Sequence, residues 1–180
     1  MGEAGTVEEK RAKLIIKYRN LDVEKVEREA DKIFYHVSRG DEKYLLMCII
    51  DQKTVGIGYV RELRKILDAE EVPKGIMVTS GKYTYSAKRS SGEMGIELIP
   101  STLPIFDLFK HKLVPRHEIL NEEERREVLK RFHAKPYQFP WIKASDPVSI
   151  ILGAEPGDIV RVTGESETAG RAESFRYVVK

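Results

Sequence analysis

Hydrophobic and polar positions in the first part of the chain follow two different periods. Residues 7–19 place apolar side chains at helical spacing and predict an amphipathic helix. Residues 31–37 and 43–50 are rich in β-branched, aromatic and aliphatic residues and predict two strands. The polar segment between them contains Gly40, which is typical of a hairpin turn.

The pattern then returns to helical spacing. A second helix is predicted from about Gly58 to Glu70, where apolar residues recur every three or four positions. Residues 74–80 form a short apolar run that predicts a buried strand, and residues 95–100 form a shorter one. A polar segment separates these two runs. An order of helix, strands, helix and strand predicts a small α/β or α+β domain.

Three prolines in residues 100–116 predict a joint between two domains, which we place at 1–110 and 111–180. After the joint, Asn121 and Glu124 have the spacing of a capping box, followed by an apolar helix face. Asp146 before Pro147 marks another helix start, and Gly153 its end. Residues 158–163 and 174–180 alternate as paired strands do. The second domain is therefore predicted to be compact α+β.

Composition excludes several classes of function. The net charge is +2, from 31 basic and 29 acidic residues, and both predicted domains are nearly balanced. Neither is a basic domain of the kind that binds nucleic acid unaided. Cys48 is the only cysteine, lies in an apolar run and is expected to be buried. With four scattered histidines, no metal-ligand spacing appears, so neither a metal site nor a cofactor is predicted.

No apolar run approaches the roughly 20 residues that a membrane-spanning helix needs. The first ten residues lack the basic stretch and apolar core of a secretory signal. We therefore expect a cytoplasmic protein with no membrane partner.

Three motifs in the last seventy residues carry a family resemblance. They read LVPRHEIL from Leu113, DPVSIILGAEPGDIVRV from Asp146, and SETAG from Ser166 followed by FRYVV. In order and spacing they resemble a small subunit of archaeal RNA polymerase, the counterpart of the fifth common subunit of the eukaryotic polymerases, over residues 112–180. One departure is Thr163-Gly164-Glu165, where the family usually has basic and aliphatic residues before SETAG.

The resemblance implies an assembly domain that docks on the largest polymerase subunit. An apolar segment with little regular structure precedes the helix of this domain, and a unit of this size buries only a modest core, so docking would add stability. The residues that the resemblance assigns to docking are Leu113, Val114, Pro115, His117, Asp146, Pro147, Ser166, Glu167, Thr168 and Gly170. His117 is expected to be a structural hydrogen-bonding group. Trp141 is expected to pack in the core.

The first domain carries a second resemblance. KYLLMCII, VGIGYVRELRKIL and KGIMVTSGKYTYSAKR are similar in order and spacing to nucleases of the Mrr restriction type. The same stretch resembles the jaw domain of the eukaryotic counterpart, which has a restriction-endonuclease-like fold and which the archaeal subunit typically lacks. A TPSA-like motif of that jaw would fall on residues 84–87.

The nuclease strand, however, lacks its catalytic pattern. Such nucleases need a carboxylate, and then an acidic residue or glutamine two positions before a lysine, to hold Mg²⁺ and activate water. Met47 and Ile49 stand at the latter two positions. Asp51 and Lys53 spell an Asp-x-Lys just past the strand, and Asp31 could pass for the earlier carboxylate. We therefore expect a retained fold without cleavage, and no catalytic residue is assigned.

A local basic segment lies between Glu71 and Glu93, where no acidic residue occurs. Lysine, arginine and hydroxyl groups bond phosphate oxygens without reading sequence, and tyrosines offer stacking faces. The residues expected near downstream duplex DNA are Lys82, Tyr83, Thr84, Tyr85, Ser86, Lys88 and Arg89. A solvated loop is the alternative for this segment, and the sequence leaves both open.

Together these resemblances predict a non-catalytic subunit of DNA-directed RNA polymerase, a component of a nucleotidyltransferase complex. It would be anchored by its second domain to the largest subunit and the rest of the core enzyme. The first domain would form a lower-jaw element beside entering DNA. The alternative is an Mrr-like Mg²⁺-dependent nuclease fused to a polymerase-like tail. A free-standing DNA-binding protein is disfavoured by the balanced charge.

Overall fold

The computed structural model describes residues 5–166 and 170–180. The chain divides into two compact units, the first ending at Ile105 and the second beginning at Phe106. The boundary predicted from the sequence, between domains 1–110 and 111–180, lies a few residues further along the chain and stays a prediction. Among the described residues, no helix is both long enough and apolar enough to cross a membrane.

The first unit contains three helices and seven strands among its described residues. They are α1 (Val7–Tyr18), β1 (Asp22–Arg28), β2 (Lys32–Arg39), β3 (Glu42–Ile49), β4 (Thr54–Val55), α2 (Ile57–Ala69), β5 (Lys74–Thr79), β6 (Lys82–Tyr83), α3 (Tyr85–Glu93) and β7 (Ile96–Ile99). The main sheet has the order β1-β2-β3-β5-β7; β1, β2 and β3 pair antiparallel, and β3, β5 and β7 run parallel. The short strands β4 and β6 pair parallel beside it.

Most of the predicted elements of this unit are confirmed. Helix α1, the β2–β3 hairpin with Gly40 at a φ of 60°, helix α2, and strands β5 and β7 lie where the pattern placed them. Strand β1 and helix α3 were not predicted. All seven residues of β1 are exposed, so its sequence lacks the alternation of apolar and polar residues that would predict a strand. Helix α3 buries only Ala87 and Ser91, so its sequence reads as polar throughout.

Alternation along β3 positions the core on both faces of the sheet. Leu45, Met47 and Ile49 face α2 and pack into one buried cluster with its apolar side. The side chain of Cys48 lies on the opposite face of the sheet, toward α1, where its thiol is 3.8 Å from the Glu8 carbonyl oxygen. Burial raises the pKa of this thiol, as expected of a structural cysteine.

In the part of the second unit that the structure describes, a four-stranded sheet is accompanied by two α-helices. Its elements are β8 (Arg116–Ile119), α4 (Glu122–Phe132), β9 (Trp141–Lys143), α5 (Pro147–Leu152), β10 (Ile159–Ser166) and β11 (Gly170–Val179), with single 3₁₀ turns at Leu108–Lys110 and Pro136–Gln138. The strand order is β8-β10-β11-β9, with β9 parallel to β11 and the other pairs antiparallel.

The predicted helix caps of this unit are confirmed. The Asn121 side chain accepts from the backbone N–H groups of Glu123 and Glu124, and the Glu124 carboxylate accepts from the Asn121 N–H at 3.0 Å. The Asp146 carboxylate accepts from Val148 N–H at 2.8 Å, and Gly153 ends α5 with a φ of 74°. These side chains satisfy backbone N–H groups that the first turn of each helix would otherwise leave without a partner.

The expectation that Trp141 packs in the core is wrong. Trp141 begins the edge strand β9 and is 67% exposed, and its indole N–H donates to the Tyr137 carbonyl at 3.2 Å. Its neighbour Ile142 takes the inward position in the alternation. The buried aromatic residue of this core is Phe175 instead, and the partly buried Phe139 and the half-exposed Phe132 pack around it with ring centroids 5.6–6.0 Å apart.

Candidate docking surface and nucleic-acid interface

The LVPRH motif forms the outer edge of the second sheet. Leu113 is 81% exposed just before β8, while Val114 and Pro115 are half-buried. His117 lies on β8 with its Nδ1 atom 2.8 Å from the Pro115 carbonyl oxygen. This arrangement leaves Leu113 as an apolar side chain without intramolecular cover.

His117 is a structural group of this edge. Burial is the largest cause that lowers the pKa of its imidazole, and the hydrogen bond to the Pro115 carbonyl only partly opposes it. The imidazole is therefore neutral at pH 7, and Nδ1 carries the proton that it donates to this carbonyl. The carboxylate of Asp146 also acts to raise this pKa, so the cap of α5 lies close to the histidine.

Strand pairing brings the end of the second motif, and the residues just before the third, to the same edge. Strand β10 pairs with β8 through Thr163 and Arg116, and a Cβ atom at Gly164 would lie 3.9 Å from Pro115 Cβ. The backbones of Ser166 and Gly170 pair at the far end of the β10–β11 hairpin. Glu167 and Thr168 lie outside the described residues. The first two motifs thus meet at β8, and the docking role of all three motifs stays a prediction.

Sequence reasoning missed two exposed aromatic residues on the opposite edge. Trp141 and Tyr137 are linked by the indole–carbonyl hydrogen bond, and both side chains are largely exposed. Exposed aromatics of this kind are enriched at protein interfaces. One sequence signal could have predicted this exposure. Trp141 follows Pro140 and begins a run of three residues, which is too short to form a central, buried strand.

The basic segment of the first unit is not a loop, although its basic side chains are exposed to solvent. It forms β6 and α3, and the Thr84 hydroxyl caps α3 by accepting from Ala87 N–H at 3.2 Å. Ser86, Tyr85, Lys82, Lys88 and Arg89 are exposed. Among the described residues, none forms an ion pair with Lys82, Lys88 or Arg89.

Tyr83 does not belong to this exposed set. Its side chain is 9% exposed, and its hydroxyl donates to the Met77 carbonyl at 2.8 Å. Burial raises the pKa of this phenol. Placing Tyr83 among the stacking faces was wrong, because β6 alternates and turns this residue into the core beneath α3.

The nuclease positions are apolar in space as well as in sequence. Met47 and Ile49 have no exposed surface and pack against α2. The Asp31 carbonyl accepts from Ile50 N–H at 2.9 Å, so the main chain at Asp31 lies close to Asp51. Within residues 5–166 and 170–180, no group of three acidic, histidine or cysteine side chains could hold a metal ion.

The two units of the chain match two different protein families. Residues 106–178 match the sequence model of the family described as RNA polymerase Rpb5, C-terminal domain. DNA-directed RNA polymerase subunit Rpo5 of Sulfurisphaera tokodaii is 47% identical over 73 residues, which are 41% of this chain and 87% of that protein. The Rpo5 of Thermococcus onnurineus is 49% identical over 75 residues, 42% of this chain and 92% of that protein. The chain belongs to the Rpo5 family.

The first unit of this Rpo5-family chain has a family of its own. Residues 9–102 match the model of the family described as restriction endonuclease, so the chain also belongs to that family through its first unit. Both resemblances drawn from the sequence are therefore confirmed. The Rpo5 relatives align only with the second unit, so the restriction-endonuclease-like unit is an extension relative to them. The predicted fold class, an α/β nuclease-like domain followed by a small α+β domain, is confirmed as well.

Proposed function

We propose that this Rpo5-family chain is a non-catalytic subunit of DNA-directed RNA polymerase, anchored through its second unit. The observation that carries the proposal is the alignment of that unit with nearly the whole length of polymerase subunits, 87% and 92% of the two Rpo5 relatives above. Catalysis by the complex would belong to its other subunits, and the chain would reside with the polymerase in the cytoplasm.

The edge around β8 is the proposed docking surface for the largest subunit. Leu113 supplies exposed apolar area, and burial of such a side chain is worth about 1.5–3 kcal/mol. His117, neutral and fixed by the Pro115 carbonyl, adds no charge that docking would have to desolvate. A small unit with two modest core clusters gains stability from such a partner.

The first unit would lie near downstream duplex DNA and present β6 and α3 to it. Lys82, Lys88 and Arg89 are exposed and without ion pairs among the described residues, so they can meet phosphates at little cost. Tyr85, which is almost fully exposed, adds a hydroxyl donor and a ring face. Such contacts guide a duplex without reading its sequence.

Affinity purification of the tagged full-length chain from its native cells tests the proposal. We expect the largest polymerase subunits to be recovered in amounts equal to the tagged chain at moderate salt. Recovery of the chain alone, or with DNA-repair proteins, would contradict it.

Mg²⁺-dependent DNA cleavage is the second candidate, favoured by the restriction endonuclease family match and by the approach of Asp31 to Asp51. We expect the purified chain to leave plasmid DNA intact in Mg²⁺ or Mn²⁺, because Met47 and Ile49 cannot bind metal or activate water. Nicking that disappears in an Asp31→Asn or Asp51→Asn variant would establish the nuclease. The comparison variant for non-specific damage is Asp41→Asn, an exposed change in the β2–β3 turn.

A further inference from the structure

A polar cleft of about 430 Å³ opens at one edge of the first sheet. Three separate segments line it, and each directly follows one of the adjacent parallel strands β3, β5 and β7. They are Asp51–Lys53, Ser80–Lys82 and Ser101. Open α/β sheets bind ligands outside the carboxyl ends of their parallel strands, and the volume lies within the roughly 300–1,000 Å³ of small-ligand sites.

The chemistry of the lining favours an anion. Lys53 and Lys82 are exposed, and no described residue forms an ion pair with either ammonium group. Among the described residues, neither the Ser80 nor the Ser101 hydroxyl has a hydrogen-bond partner, so both can donate to a ligand. Asp51 is the single acidic residue in the lining. Two cations against one carboxylate leave the cleft with a net positive charge.

The charged groups behind the lining do not cancel this charge. The carboxylate of Glu8 is buried and accepts from Ser80 N–H at 3.1 Å. The guanidinium of Arg11 is buried beside it and donates to the Ser101 carbonyl. Because the charges of Glu8 and Arg11 offset each other, the net positive charge that Lys53 and Lys82 give the cleft remains.

The two lysine-bearing segments are held in place before any ligand arrives. Strand β4 follows Lys53 and pairs with β6, which begins at Lys82, and Lys82 N–H donates to the Lys53 carbonyl at 3.0 Å. Gly81 allows the close approach, because a Cβ atom there would lie 2.1 Å from the Gln52 carbonyl oxygen. Its N–H is held by the buried Thr79 hydroxyl at 3.1 Å. A preorganised site loses little conformational entropy on binding.

We propose that this cleft binds a phosphodiester group of duplex DNA, with Lys53 and Lys82 as the charge partners and Ser80 and Ser101 as hydrogen-bond donors. This inference rests on the proposed position of the first unit near DNA and names a second contact within it. Lys53 lies outside the β6–α3 surface already assigned to DNA. The cleft and that surface share Lys82, so one backbone could run from the cleft to α3.

Fluorescence anisotropy with a labelled short duplex tests the cleft, using the full-length chain over a series of KCl concentrations. The test variant is Lys53→Gln, because Lys53 is the cleft cation that does not also belong to the β6–α3 surface. The matched control is Lys43→Gln, which removes the same charge near the opposite end of β3. Each phosphate contact contributes about 0.9 to the slope of log affinity against log salt, so the cleft variant should lower that slope by about 1.

We expect the cleft variant to bind roughly tenfold more weakly at low salt and the control to match the wild type. Equal losses in both variants would show a plain effect of net charge and overturn the proposal, as would an unchanged cleft variant or a wild-type chain that binds no duplex. Competition with AMP and inorganic phosphate separates the sources: displacement of the duplex by either at concentrations near the duplex affinity would assign the cleft to a free anion. Because recovery of the chain with the polymerase is measured in a separate experiment, a negative result for DNA binding in the cleft would leave the proposed role as a polymerase subunit intact.

Discussion

Replacing Arg11 with methionine is expected to lower the free energy of unfolding by about 3 kcal/mol, because hydrogen bonds to charged groups contribute about 1.5–3 kcal/mol and a buried acceptor left without a donor costs about 1–3 kcal/mol. Arg11 is 7% exposed and donates to three main-chain carbonyls, those of Leu103 at 2.7 Å, Thr79 at 3.0 Å and Ser101 at 2.5 Å. These contacts tie helix α1 to the end of β5 and to the segment after β7. Methionine fills much of the volume but leaves all three carbonyls without this donor.

The loss has an electrostatic part that a second variant isolates. Glu8, buried next to Arg11, would keep its charge without the guanidinium that offsets it. The double variant Glu8→Gln/Arg11→Met should therefore be less destabilised than the sum of the two single variants. Arg61→Met is the matched control, because Arg61 is exposed on α2, and it should change stability by less than about 0.5 kcal/mol.

Urea unfolding followed by far-ultraviolet circular dichroism measures these changes. The fluorescence of Trp141, the only tryptophan, follows the second unit separately. A shift of less than about 1 kcal/mol in Arg11→Met would show that water replaces the lost donors and that Arg11 is not a tie between elements.

Replacing Leu113 with aspartate is expected to weaken incorporation into the polymerase by at least about 30-fold, or roughly 2 kcal/mol. The leucine side chain would lose its burial in the interface, and the new carboxylate would have to be desolvated there. Because Leu113 is exposed in the chain itself, the variant should unfold at the same urea concentration as the wild type. The defect would thus be one of assembly.

Competition between variant and wild-type chains in the same cells gives the measurement. The two chains are expressed with different tags, and mass spectrometry gives the amount of each per largest subunit. Val23→Asp is the matched control, since it adds the same charge at an exposed apolar position of β1. If Leu113→Asp is incorporated as well as Val23→Asp, the edge around β8 is not the docking surface.

The elements that could be predicted from the sequence are those whose burial leaves a period in it. Strand β3 buries a continuous apolar run on both faces and helix α2 buries one apolar face, and both lie within a residue or two of their predicted bounds. Strand β1 and helix α3 bury almost nothing, so neither period appears. Helix α3 depends on a single hydroxyl cap at Thr84, and a lone threonine in a polar segment predicts little.

Single aromatic residues were the least predictable part of the candidate sites. Tyr83 is buried and Trp141 is exposed, the reverse of what each neighbourhood suggests. Each lies in a strand of two or three residues, where shifting the alternation by one position exchanges the buried and exposed faces. The meeting of the first two motifs at β8 and the cleft after β3, β5 and β7 depend on strand order, which the local pattern does not encode.

The most direct test of the central claim is co-purification of two tagged parts of the chain, residues 111–180 and residues 1–110, beside the full-length protein. If the second unit anchors the chain, residues 111–180 should recover the largest polymerase subunits in the same proportion as the full-length chain, and residues 1–110 should recover few or none. Recovery of the polymerase by residues 1–110 alone, or by neither part nor the full-length chain, would contradict the account.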